Sequence, residues 1–178
     1  MSRVEPFQPA MQGGTSTATP IEKPAVLAAL VRRAKRPLLV VGHRALVVGG
    51  DGEHAIDLLA RAALKAGWPV AATGDTGPAL AERGIEPALC ISAMNLGQRL
   101  ADPDWTGVDG RGPHDVVFMA GLSYALEWTL LSGLRRADLV TVSLSPGYEP
   151  HASFSLPNLA WPAWRALIAE AFGLGAEA

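Results

Sequence analysis

The spacing of hydrophobic positions changes repeatedly along the chain, and the changes predict an alternation of helices and strands. From Pro24 onward, Leu27, Leu30, Val31 and Ala34 recur at the period of one helical face. Pro24 suits the first turn, where a missing N–H costs nothing. Pro37 ends that period. Leu38-Leu39-Val40-Val41 then runs without a polar break and closes at Gly42, the pattern of a strand buried on both faces of a parallel sheet. After the glycine-rich stretch Gly49-Gly50-Asp51-Gly52, a helix is predicted from about Glu53 to Ala66, with Ala55, Leu58, Leu59 and Ala62 inward and Gly67 as its cap.

The alternation continues. Val70-Ala71-Ala72-Thr73 forms a second strand ended by Gly74, and a short helix around Ala79 to Arg83 stops at Gly84. The stretch from Ile85 to Leu100 holds a further helix that Ser92 can cap. A third strand, Val116-Val117-Phe118-Met119, ends in Ala120-Gly121 and leads to a helix predicted to turn Tyr124, Trp128, Leu131 and Leu134 inward. A fourth, Leu139-Val140-Thr141-Val142, runs into Ser143-Leu144-Ser145. A loop or a short added strand near His151 to Leu156 precedes a last helix with Trp164, Leu167, Ile168 and Ala171 on its buried face.

This order predicts an α/β fold, a three-layer Rossmann-like parallel sheet covered on both faces. In such sheets ligands gather at the carboxyl ends of the strands. Gly42, His43, Thr73, Gly74, Gly121, Leu122, Ser123 and Ser143 stand there and are the candidate cofactor-binding residues. Most are small or hydroxylated, so a ligand can approach the backbone closely. Residues 21–174 form one domain, large enough to bury a core without disulfides. Residues 1–20, rich in Ser, Thr, Gln, Gly and Pro without an apolar period, read as a flexible arm, and 175–178 as a tail.

Composition narrows the chemistry. A formal net charge of −2 gives no footprint for nucleic acid or an anionic membrane surface. The single cysteine, Cys90, rules out an internal disulfide and, for this chain alone, an iron–sulfur cluster or a cysteine-rich zinc site. No apolar run approaches the roughly 18 residues of a spanning helix, and the first residues lack a signal peptide's apolar core. A cytoplasmic location is the expectation. A P-loop, the strict dinucleotide fingerprint and a Gly-x-Ser-x-Gly elbow are all missing, and the four histidines have no metal-ligand spacing.

Gly49 to Gly52 reads first as a turn before a helix and second as a phosphate cradle. His43 stands where a functional histidine could, against a plain loop role. Asp102 and Asp104 beside Pro103 are turn formers. Cys90 reads as a small buried hydrophobe rather than a reactive thiol, Trp164 as core, and Trp105 as the better interface anchor. No catalytic residue and no metal ligand is predicted.

Several segments together resemble one family. Ala34-Lys35-Arg36-Pro37-Leu38-Leu39-Val40-Val41-Gly42 and Pro69-Val70-Ala71-Ala72-Thr73-Gly74 are similar to its first two strands. The most specific element is Asp102-Pro103-Asp104-Trp105-Thr106-Gly107-Val108-Asp109-Gly110, a D-P-x-W-x-G-x-D-G pattern before the third strand. Gly147-Tyr148 through Ala152, with Ser155 and Asn158, is similar to a late loop. The family is the epsilon subunit of archaeal CO dehydrogenase/acetyl-CoA synthase, and the likeness runs over roughly residues 20 to 172. It implies a fold shared with the FAD/NAD-binding middle domain of thiamine-diphosphate enzymes. It also implies an accessory, non-catalytic subunit paired with a large alpha subunit bearing the nickel–iron–sulfur site, in an α2ε2 component. The role implied is to stabilise that component, to assist electron transfer to FAD, or both; FAD is the one cofactor raised, and self-association stays open. A free-standing flavin- or nucleotide-binding module is the alternative. An enzyme of the same broad fold, such as an NAD-dependent deacylase, fits less well without zinc cysteines or a catalytic base.

Overall fold

The unbroken run Leu38–Val41 lies at the centre of the sheet, as its lack of polar positions demands. The computed structural model describes residues 17–50 and 52–175. In chain order it holds β1 (Thr19–Pro20), α1 (Pro24–Arg33), β2 (Pro37–Val41), a 3₁₀ turn (His43–Leu46), β3 (Gly49–Gly50), β4 (Glu53–His54), α2 (Ala55–Ala66) and β5 (Val70–Ala72). Then come α3 (Thr76–Ala81), β6 (Leu89–Cys90), α4 (Ala93–Ala101), β7 (Val116–Ala120), α5 (Tyr124–Leu134), β8 (Val140–Ser143), β9 (Phe154–Ser155) and α6 (Trp161–Ala171). Seven strands form one sheet in the order β1-β9-β8-β7-β2-β5-β6, every pairing parallel. From β6 to β9 this is the Rossmann arrangement, in which the chain winds outward from β2 in one direction and then from β7 in the other. The expected three-layer fold is therefore present.

β2 and β7 pair from Pro37↔Val116 to Val41↔Ala120. Strand alternation sends Leu39, Val41, Phe118 and Val142 to one face, packed with Leu27, Ile56, Leu59, Trp164 and Ile168. Leu38, Val40, Val117 and Met119 face the other way, against Leu96, Leu100, Leu131 and Leu134. Helices on both sides explain why the central strands carry no polar break. Trp68 stacks on Phe118 with ring centroids 4.5 Å apart. Among the described residues, no helix is long and apolar enough to cross a membrane.

Several expectations need correction. Gly49–Gly50 pairs antiparallel with Glu53–His54 as β3 and β4, so α2 begins at Ala55 rather than near Glu53. Glu53 instead places its carboxylate between Arg61 and Arg165. α5 buries Glu127, Leu130, Leu131 and Leu134, while Tyr124 is exposed. The inward face is rotated because it accommodates a glutamate. Cys90 is exposed, since it ends the edge strand β6. Trp105 is half-buried beside His114, with ring centroids 5.8 Å apart. Thr19–Pro20 pairs with Phe154–Ser155, and Ala18 and Ile21 are buried, so ordered structure includes the end of the expected arm. The rest of that arm, residues 1–16, and the tail residues 176–178 lie outside the described residues.

The D-P-x-W-x-G-x-D-G element lies at the amino ends of β2 and β7. Asp102 accepts the backbone N–H of Asp104 at 3.0 Å, closing the turn expected there. Arg36, just before β2, donates to the Asp109 carboxylate at 2.6 Å, the Gly112 carbonyl at 2.9 Å and the Pro113 carbonyl at 3.1 Å. Gly107 has a φ of 77°, and a Cβ there would stand 2.5 Å from the Gly112 oxygen. Glycine is required at that position. Replacing Arg36 by alanine (R36A) leaves several acceptors unmatched and is expected to destabilise the chain by about 1–2 kcal/mol in equilibrium urea unfolding. An unchanged midpoint would show that the backbone alone holds this loop.

Candidate functional site

The central strands end in two glycines that touch each other. Gly42 donates its N–H to Ala120 O at 2.9 Å, and Arg44 donates to Gly121 O at 2.8 Å. A Cβ on Gly42 would lie 2.5 Å from the Gly121 oxygen; one on Gly121, whose φ is 75°, would lie 2.6 Å from the Gly42 oxygen. The gap between the two halves of the sheet, where Rossmann domains place their ligands, is thus filled by the protein's own backbone. The 3₁₀ turn His43–Leu46 follows directly.

This contact separates the expected site residues into two groups. Toward β5, Nδ1 of His43 stands 2.7 Å from the Asp75 carboxylate, with both side chains exposed. The histidine hydrogen bond holds that carboxyl below its ordinary range. The Thr73 hydroxyl donates to Val41 O at 3.2 Å, and Gly74 turns with a φ of 66°. These residues finish the strand end.

Toward β8 there is a cavity of about 200 Å³. Gly121 and Leu122 line it, with Arg44, Tyr124, Glu127, Glu149 and Trp164. Ser143 contributes through Glu127. Ser123 is the exposed N-cap of α5 and makes no side-chain cap hydrogen bond.

The cavity's polar chemistry is a pair of carboxyl groups. Glu127, in the first turn of α5, is 0% exposed, and its two oxygens accept from Ser143 Oγ and Ser145 Oγ, each at 2.6 Å. Ser143 ends β8 and Ser145 lies two residues beyond it, while Leu144 between them is buried and its carbonyl accepts the Trp164 Nε1 N–H at 2.6 Å. Glu149 is 1% exposed, and neither of its oxygens has a hydrogen-bond partner. Its backbone N–H is held by Ser155 Oγ at 2.9 Å. Burial pushes Glu127 up to about 7 against the lowering effect of the two serine hydroxyls. Burial, aided by the charge of Glu127, pushes Glu149 up to about 9. At neutral pH the pair therefore retains protons that exposed carboxylates would lose. Among the described residues, no group of three or more His, Cys, Asp or Glu side chains could hold a metal ion.

Sequence reasoning looked to the carboxyl ends of the strands, where this cavity also lies, but did not name Glu127, Glu149 or Arg44. The serine pair at alternate positions, Ser143 and Ser145, was the available pointer to a buried acceptor.

Fold and site together define a Rossmann-type domain whose central gap is closed by backbone and whose polar chemistry is a buried glutamate pair. The family model for the CO dehydrogenase beta subunit/acetyl-CoA synthase epsilon subunit matches residues 2–171, and the chain belongs to that family. It is 37% identical over 139 residues to acetyl-CoA decarbonylase/synthase complex subunit epsilon 1 of Archaeoglobus fulgidus, covering 77% of this chain and 73% of the relative. It is 33% identical over 147 residues to epsilon 1 of Methanosarcina barkeri, with 82% of each chain covered. To the epsilon subunit of Methanothermobacter thermautotrophicus it is 32% identical over 169 residues, with 91% of each covered.

Both glutamates have raised folded-state values, so their protonated forms contribute stability at pH below the unfolded value of 4.5. That contribution is lost as pH rises through about 7 for Glu127 and about 9 for Glu149. Urea unfolding at pH 5, 7 and 9 should show wild-type stability falling across this window. Glu149→Gln (E149Q) should flatten the fall by at least ~1 kcal/mol, the equivalent of about one pKa unit.

Proposed function

We propose that the chain is a non-catalytic accessory subunit of a cytoplasmic CO dehydrogenase/acetyl-CoA decarbonylase–synthase complex. It pairs with the large alpha subunit in an α2ε2 component and stabilises that nickel–iron–sulfur protein. The carrying observation is the match to epsilon-subunit relatives over most of the length of each chain. The residues agree: an iron–sulfur cluster takes several thiolates, and this chain has one cysteine, exposed on an edge strand.

A second reading is an FAD- or nucleotide-binding role at the strand ends, alone or in aid of electron transfer. The Rossmann strand order favours it, and its residues would be Gly42, His43, Thr73, Gly74, Gly121, Leu122, Ser123 and Ser143. As folded, these residues do not fit a dinucleotide. The cavity of about 200 Å³ falls below the ~300–1,000 Å³ of ordinary ligand pockets. Gly42 and Gly121 occupy each other's approach space, and Glu127 and Glu149 line the wall where a pyrophosphate would meet like charge once they ionise. Stabilisation by docking is the better supported role.

Co-expression with the large CO dehydrogenase subunit should yield a complex with equal numbers of the two chains on size exclusion. Separate elution of the two folded proteins would defeat the reading. Saturating FAD should leave flavin fluorescence unchanged in the isolated chain; saturable quenching would favour the second reading.

A further inference from the structure

We infer that the cavity beside β7 and β8 is a receptor for a cationic N–H donor, a guanidinium or ammonium group on a slender stem, seated on Glu149 and Glu127. The argument starts from hydrogen-bond completeness. Buried polar side-chain atoms nearly always have a partner, yet both oxygens of Glu149 lack one while its side chain lines a cavity. Glu127, which lines the same cavity, already accepts from two serine hydroxyls, so those donors are spent. Behind the rim, Glu149 is therefore a carboxyl for which the described residues supply no donor. A ligand completing it must bring N–H groups, and positive charge lets both carboxyls ionise.

Size and walls narrow the ligand further. About 200 Å³ holds a head group and a short stem, and Leu122, Val48, Ala55 and the Trp164 ring supply apolar walls for the stem. Planar guanidinium matches a carboxylate through two parallel hydrogen bonds. The Glu149 oxygens are closed to solvent. Entry thus requires a rim side chain to move, and Tyr124, 40% exposed, is placed to do so. Two further titratable or charged groups face the pair: the Tyr124 hydroxyl, pushed up by burial and by Glu149, and Arg44 on the rim. Arg44 is the chain's own competing cation.

The group has two possible sources, a free small amine or a basic side chain of the large subunit. The second rests on the accessory-subunit reading; the first does not. Agmatine and methylguanidinium are the probes for the full-length isolated chain, followed by isothermal titration at pH 6, 7 and 8. A free-amine source predicts saturable binding that tightens as pH rises, because seating the cation expels a proton. It also predicts at least a tenfold loss in E149Q and in Glu127→Gln (E127Q). Both variants neutralise groups that burial already disfavours as anions, so they should fold. A side-chain source predicts weak or absent binding of the probes but at least tenfold weaker assembly of E149Q with the large subunit. The inference is overturned if neither effect appears while wild-type chain assembles, or if the probes bind saturably with an affinity that E149Q leaves unchanged. It is equally overturned if a crystal structure without added cation seats the Arg44 guanidinium on Glu149. Failure of wild-type chain to assemble at all would strike the accessory-subunit reading instead and leave the decision to the probe titration.

Discussion

The contact between Gly42 and Gly121 fixes how the two halves of the sheet meet at their carboxyl ends. β2 and β7 are the innermost strands, and the chain leaves both at the same level of the sheet. A side chain at either glycine would collide with the opposite carbonyl, so the two exits close on one another. In dinucleotide-binding relatives of the fold, glycines at the first exit let a pyrophosphate approach the backbone. Here they let one backbone approach another.

Closing the centre moves the polar chemistry to one side, and the glutamate pair is what remains. A buried carboxyl without partners is costly, and the usual relief is to stay protonated. Glu127 has partial relief from Ser143 and Ser145; among the described residues Glu149 has none. Burial raises both groups, and the charge of Glu127 raises Glu149 further; an apolar pair of similar size would serve the core at least as well. Strongly perturbed titratable groups in a concave site are a reasonable mark of function. The pair is therefore better explained by something the chain meets than by the chain's own packing.

The central fold was legible because burial on both faces writes long apolar runs, as at Leu38–Val41 and Val116–Met119. The last helix was equally clear, with Trp164, Leu167, Ile168 and Ala171 all buried as the period demanded. The strands β1 and β6 were not legible, because two residues cannot display an alternation. Cys90 followed from that miss: without β6, nothing indicated a strand end at the sheet's edge. In α5 the expected inner face starts at Tyr124, whereas the structure buries Glu127 and exposes Tyr124. An apolar period cannot mark a carboxyl that is buried among serine hydroxyls. Glu149 comes from a loop well beyond α5, and only the crossover that carries β8 past β7 brings the two carboxyls together.

The two ends of the sheet now separate two kinds of information. The D-P-x-W-x-G-x-D-G element, the most specific part of the resemblance, packs around Arg36 at the amino ends of β2 and β7. It explains a rigid loop, and its hydrogen bonds are satisfied internally. The cavity at the carboxyl ends contains the acceptors that are not. A scaffold whose most recognisable motif completes itself, and whose opposite end is left incomplete, is organised to present a surface and receive a group there. That asymmetry suits an accessory subunit: an internally hydrogen-bonded loop at one end of the sheet, and at the other a carboxyl that the described residues leave without a partner.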